Sequence, residues 1–224
     1  MVPLLVAVIG GYLLGSVPVA VLVARTHGVD PREVGDRNPG FWNVKERLGR
    51  RAAAPVFAGD TLKGTLAALL ALVAGGHTVG FGGVSGAGAV PVYAATAAAM
   101  IGHAWPVFAG FRGGRSVLTF VGGFAVICPA AFLLGVVLLA VAGLVTRSFA
   151  TGARAGVFAL PVFQSIFAPV EYVAGTGLLM CLIGLRFGQA ARSARSGRAA
   201  SPGSPVSPES PAPPAPPGRT RPRS

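Results

Sequence analysis

The sequence predicts an all-α polytopic membrane protein of about seven transmembrane helices, with its N-terminus outside and its C-terminus in the cytoplasm. Three observations carry that expectation. Of the 224 residues, 52% are hydrophobic and only 12% are charged, and the mean hydropathy is +0.65, more apolar content than a soluble core of this length requires. That content lies in runs at residues 2–24, 53–74, 88–110, 117–145 and 157–185, against the roughly 20 helical residues needed to cross about 30 Å of hydrocarbon. Lysine and arginine, finally, gather in alternate connections between the runs.

The first run begins at Met1 without a basic leader and contains Ser16 and Pro18, so it reads as a span and not as a removable signal. The last two runs are too long for single crossings, and each carries a break. Cys128-Pro129 interrupts one and Pro169-Val170-Glu171 the other, because proline removes a backbone donor and a carboxylate is costly in lipid. Splitting both gives seven spans. The basic stretches 25–52, 111–116, 146–156 and the tail then share one side, opposite the connections near 75–88, 129 and 170, which carry no Lys or Arg. The positive-inside rule makes the basic side cytoplasmic, in a bacterial-type plasma membrane. A five-span alternative places Arg147 and Arg154 on the other side.

From about Gly197 the composition turns to Ser, Pro, Gly and Arg, which cannot bury enough apolar surface to offset chain entropy. The expected organisation is a membrane domain over 1–190 and a disordered cytoplasmic tail over 191–224. Much of the net charge of +12 sits in that tail and in the first basic loop, so it points to lipid headgroups and water and not to nucleic acid. Cys128 and Cys181 both fall in apolar stretches and read as small buried hydrophobes; neither a disulfide framework nor a metal-ligand cluster is expected.

Two basic loops have the chemistry of anion sites. In residues 28–51, Gly35, Asn38, Pro39 and Gly40 favour turns that present successive backbone N–H groups, with Arg37 and Lys45 supplying charge and Asn43 close by. In residues 110–120, Arg112-Gly113-Gly114-Arg115 precedes an apolar run with Ser116 as the expected N-cap, so the positive end of a helix faces the same interface. Asp60 and Lys63 are three residues apart on one helical face. Such a pair, about 12 Å into the span, is either a structural ion pair or a functional charge. His103 in the third span is either a packing histidine or a polar group facing an interior site.

Together these residues resemble the membrane-bound glycerol-3-phosphate acyltransferases that use acyl phosphate as donor, the PlsY type. The resemblance runs over about residues 10–185 and lies in GYLLGSVPVAVLVAR from Gly11 to Arg25, GVDPREVG from Gly28, Asn38-Pro39-Gly40 with Asn43, Asp60 with Lys63-Gly64, and GHAWPVFAGFRGG from Gly102 to Gly114. It implies seven spans, an outside N-terminus, and acyl transfer from acyl phosphate to the 1-hydroxyl of glycerol 3-phosphate, giving lysophosphatidic acid without a cofactor or metal. On that reading Arg37, Asn38, Asn43, Arg112, Gly113, Gly114, Arg115 and Ser116 bind the phosphates, and Asp60, Lys63 and His103 form the catalytic group, on the cytoplasmic face.

The chain departs from the family pattern at several polar positions. Asp36 and Arg37 replace a hydroxyl and a glycine, and Asp36 beside a phosphate would need Arg37 to compensate it. Phe41-Trp42 replaces Ala-Thr, Glu46 stands where an arginine is expected, Arg115-Ser116 replaces Lys-Gly, Ala150 and Ala153 replace serines, and Phe187-Gly188-Gln189-Ala190 stands in place of a closing His-Arg-Glu-Asn. These departures leave a second expectation beside the enzyme: a family member that binds or regulates, or that uses a different acceptor.

Overall fold

The computed structural model describes residues 1–199, and among these every regular element is helical. The α-helices are α1 (Val2–Gly15), α2 (Val19–Arg25), α3 (Phe41–Gly75), α4 (Ala89–Ala104), α5 (Val117–Ile127), α6 (Pro129–Val145), α7 (Phe149–Gln164) and α8 (Val170–Ala199). Four stretches are long and apolar enough to cross a bilayer: Val2–Arg25, Phe41–Gly75, Gly86–Ala109 and Val170–Ser193. Val117–Ile127 and Pro129–Val145 are shorter apolar helices.

Residues 1–188 form one compact unit. Residues 189–199 fall in a second and continue α8, so the first residues of the tail expected at 191–224 are helical; those from 200 on lie outside the described residues.

Proline and glycine set the breaks. Pro18 cannot donate to the helix ladder, so the first apolar run divides into α1 and α2 at Ser16–Pro18. The break expected at Cys128-Pro129 separates α5 from α6, and the one near Pro169 separates α7 from α8. Two expected loops are shorter than their charges suggested. Residues 41–51 are helical, with a kink at Gly49 (φ 86°), and α7 begins at Phe149, where the Ser148 hydroxyl accepts from the Thr151 N–H at 3.3 Å. Arg50, Arg51 and Arg154 therefore ride on helices.

Small residues let the helices approach closely, as they do where no hydrophobic effect drives association in lipid. α1 lies on α4 through Gly11 and Gly15: a Cβ at Gly11 would stand 2.6 Å from the Ala95 carbonyl oxygen, and one at Gly15 would collide with that of Ala99. Phe120, Phe124 and Ile127 of α5, each almost fully buried, fill the centre against Ala67, Ala71, Val92 and Met100.

The loops meet in two groups. The connection between α3 and α4 bonds to the α5–α6 break: the Val84 N–H reaches the Ile127 carbonyl at 2.9 Å, and the Ala130 N–H reaches that of Phe81 at 3.0 Å. Backbone groups freed by Pro129 are thus satisfied, as a buried break requires. The other group joins residues 26–40 to residues 105–116 and holds the polar site.

Candidate phosphate-binding and acyl-transfer site

Asp60 and Lys63 project from α3 one turn apart and are only 2% and 5% exposed. The Lys63 ammonium is 2.8 Å from an Asp60 carboxylate oxygen and donates to the Val17 carbonyl at 3.3 Å, a group released by the α1–α2 break. His103, the penultimate residue of α4, places Nδ1 3.5 Å from the same Asp60 oxygen. Histidine and ion pair, separate expectations in the sequence, belong to one buried constellation. A buried ammonium and carboxylate so close compensate each other's desolvation, and the imidazole is their polar neighbour.

Over this group runs the non-helical segment 112–116. Non-helical backbone inside a membrane protein survives where protein or an internal cavity satisfies it, and here both happen. The Gly114 N–H donates to the His103 carbonyl at 3.0 Å. The Gly114 and Gly113 carbonyls accept from Arg186 of α8 at 3.1 and 3.0 Å. Gly114 lies directly on the His103 ring, where a Cβ would overlap Nε2, which explains glycine at that position. Asp60, Lys63, His103, Arg112, Gly113 and Gly114 line one pocket, closed on its other side by residues 17–21 and Pro39. The cavity between them is about the size of one water.

The remaining candidates take different positions. Asn43 is buried, and its amide nitrogen contacts the carbonyls of Pro31, Val34 and Asn38 at 2.7, 3.0 and 3.1 Å. Its hydrogens are engaged within the loop, so it staples that loop instead of presenting a donor to phosphate. Asn38 takes part through its backbone, its N–H donating to Asp36 at 3.1 Å. Arg37 is exposed with φ 56° and does not line the pocket.

The carboxylate it was expected to balance is held by another residue: Arg115 pairs with Asp36 at 3.1 Å and lies 4.6 Å over the Phe187 ring. Ser116 occupies the N-cap position without capping. Its hydroxyl donates to the Met100 carbonyl at 2.7 Å, and its φ of 63° is a conformation that glycine adopts most readily.

Two further residues hold the backbone around the pocket and were not singled out from the sequence. Arg186 stands immediately after the apolar run 157–185, and a lone cation at the end of that run was the available signal. Arg32 entered only as one of the basic residues of 25–52 and as part of GVDPREVG, without a role of its own. It forms a bidentate pair with Asp30, the shortest contact being 2.6 Å, and reaches the Ala109 carbonyl at 3.2 Å, joining the two loops. The Arg32 guanidinium holds the Asp30 carboxyl down to about 2. Lys45, expected near an anion, sits instead over the Trp42 ring at 4.6 Å and within 6 Å of Phe41 and Phe149. Among the described residues no group of His, Cys, Asp and Glu could hold a metal ion.

A helical integral membrane protein with a buried carboxylate–ammonium–imidazole group beneath a cation-flanked glycine strand has the makings of a transferase for phosphorylated substrates, and its similarities agree. The family model described as glycerol-3-phosphate acyltransferase matches residues 5–197. A protein of Dehalococcoides mccartyi named glycerol-3-phosphate acyltransferase 3 is 37% identical over 174 residues, 77% of this chain and 79% of that one. A glycerol-3-phosphate acyltransferase of Neisseria meningitidis serogroup B is 36% identical over 182 residues, covering 80% and 88%. Among solved structures, that of PlsY (YgiH), described as an integral membrane glycerol 3-phosphate acyltransferase in its glycerol 3-phosphate form, aligns with TM-score 0.68 at 28% identity over 87% of this chain and 93% of that one.

The chain belongs to the glycerol-3-phosphate acyltransferase family, and it is a membrane acyltransferase of the PlsY type.

Proposed function

We propose that the protein transfers an acyl chain from acyl phosphate to the 1-hydroxyl of glycerol 3-phosphate, releasing lysophosphatidic acid and inorganic phosphate. The observation that carries this reading is the meeting of Asp60, Lys63 and His103 beneath the Gly113-Gly114 strand. The acceptor oxygen attacks the acyl carbonyl carbon, the bond from that carbon to the phosphate oxygen breaks, and phosphate departs with its electron pair. His103 takes the proton of the attacking hydroxyl, with Asp60 orienting the ring and Lys63 balancing the carboxylate. Arg112, beside the glycines in the pocket wall, neutralises phosphate charge as the transition state forms.

The topology that fits this chemistry has seven crossings, the first made by α1 with α2 and the others by α3 to α8 in turn. α5 spans only about 16 Å by itself, so its crossing includes the non-helical residues 112–116 that precede it. The N-terminus then lies outside, and the site and the C-terminus face the cytoplasm of a bacterial-type cell. A reporter fused after the last helix tests the orientation.

Activity is tested with the purified protein in detergent, given palmitoyl phosphate and glycerol 3-phosphate. Equimolar lysophosphatidic acid and phosphate are expected, with none from palmitoyl-CoA. Product from the thioester but not from the acyl phosphate would overturn the donor assignment.

A further inference from the structure

We propose that Asp36 sets the affinity of this enzyme for its phosphorylated substrates by occupying Arg115 as an internal competing anion. This rests on the acyl-phosphate reading above and deepens it, because it concerns what the substrate phosphate must displace.

Asp36 belongs to the turn before Asn38-Pro39-Gly40, and Arg115 follows the glycine pair. Their ion pair at 3.1 Å therefore bridges the two loops that close the pocket. One Asp36 oxygen holds the Asn38 N–H at 3.1 Å and the other meets the guanidinium, so the carboxylate is fixed by its own turn in the orientation that pairs with Arg115.

The arginine is prepared for an anion. It is stacked over Phe187, only 25% exposed, and its Nε is buried without a hydrogen-bond partner among the described residues. A guanidinium is a fork that serves carboxylate and phosphate alike. Asp36 engages one end of that fork and leaves Nε unanswered, whereas a phosphate, with three oxygens at the corners of a tetrahedron, offers acceptors to both ends.

The pair is also the interaction most readily exchanged. Asp36 is 41% exposed, and a pair so open to water contributes little. The other ties between the loops, from Arg32 to Ala109 and from Asn43 to its three carbonyls, need not break for Arg115 to change partner. Substrate binding thus exchanges carboxylate for phosphate on Arg115, and the affinity measured is the difference between the two. The shared chemistry is a phosphate monoester or acyl phosphate dianion, and the two substrates are separated by titrating each in turn.

Asp36→Asn tests this, because asparagine keeps the oxygen that accepts from Asn38 and removes only the charge. The expected result is a Michaelis constant lower by roughly two- to fivefold for whichever substrate phosphate Arg115 takes, with kcat little changed, and loss of that gain when Arg115→Ala is added. Glu33→Gln, which neutralises an exposed carboxylate of the same loop not paired with Arg115, should leave both constants unchanged. Equal or higher constants for both substrates in Asp36→Asn, or an equal fall in Glu33→Gln, overturn the proposal.

If the wild type makes no product from acyl phosphate, the functional reading itself has failed. The competition is then read by calorimetric titration of wild type and Asp36→Asn with glycerol 3-phosphate and with inorganic phosphate. Tighter binding of either by the variant supports the inference; equal binding, or none in both, overturns it.

Discussion

Arg186 of α8 donates from Nε to the Gly114 carbonyl at 3.1 Å and from an Nη to the Gly113 carbonyl at 3.0 Å. The last apolar helix thereby fixes the glycine strand that roofs the site, with the guanidinium 4.9 Å over the Trp105 ring. The hydrogen bonds turn both glycine carbonyls toward the arginine.

Arg186→Ala is expected to lower kcat/KM by about ten- to a hundredfold, the scale of one or two charge-assisted hydrogen bonds. Arg186→Lys should recover only part of it, because an ammonium cannot span both carbonyls in one plane. Steady-state kinetics of the two variants decide the matter: equal recovery by lysine would show that charge alone is needed.

Replacing Asp60 by Asn leaves the Lys63 ammonium buried without its counter-charge, a loss of about 3–5 kcal/mol. The variant should therefore be recovered from detergent with a much lower unfolding midpoint or as aggregate. Asp60→Asn with Lys63→Met removes both charges and should restore folding without turnover. Full turnover in the folded double variant would reduce the pair to a structural ion pair.

Asn43→Ala takes the donor from the Pro31, Val34 and Asn38 carbonyls together. Losing even one such buried bond is worth about 1–3 kcal/mol, so we expect faster proteolytic cutting in residues 30–40 and a higher Michaelis constant for glycerol 3-phosphate. Asn43→Asp should be worse than Asn43→Ala, because it sets a carboxylate against those carbonyls. The order of the two variants is the check.

The Asp30 carboxyl is held down to about 2 by its hydrogen bonds with Arg32. A depressed carboxyl contributes stability that is complete above its unfolded value of about 4 and is lost as pH falls through about 2. Discounted for solvent at a surface pair, the contribution is about 1 kcal/mol. Asp30→Asn should therefore lower the unfolding midpoint at pH 7 and flatten its fall between pH 4 and pH 2, and thermal unfolding across that range measures both. An unchanged acid profile would remove the pair from the account.

Much of the architecture follows from the order of residues alone. Apolar runs, their length, and the breaks at Pro129 and Pro169 were legible, because lipid leaves backbone groups no partner except the next turn; the division at Ser16–Pro18 was not expected. The basic character of residues 25–52 and 111–116 and the family motifs identified both loops and every residue of the Asp60, Lys63 and His103 group. What the sequence could not carry was which polar groups meet.

Asp60 lies 43 positions from His103, and Arg186 lies 72 from Gly114. Helix packing brings the first pair to 3.5 Å and the second to 3.1 Å. The partner of Asp36 is Arg115 and not its neighbour Arg37, because the turn points Arg37 to solvent while the glycine strand delivers Arg115 across the loops. Asn43, whose residue type suits a phosphate, is committed to three carbonyls for the same reason. The sequence determined the helices, the basic face and the chemical inventory; the tertiary structure decided which charges compensate each other, since in a low-dielectric interior that depends on separations of a few ångströms that no linear spacing records.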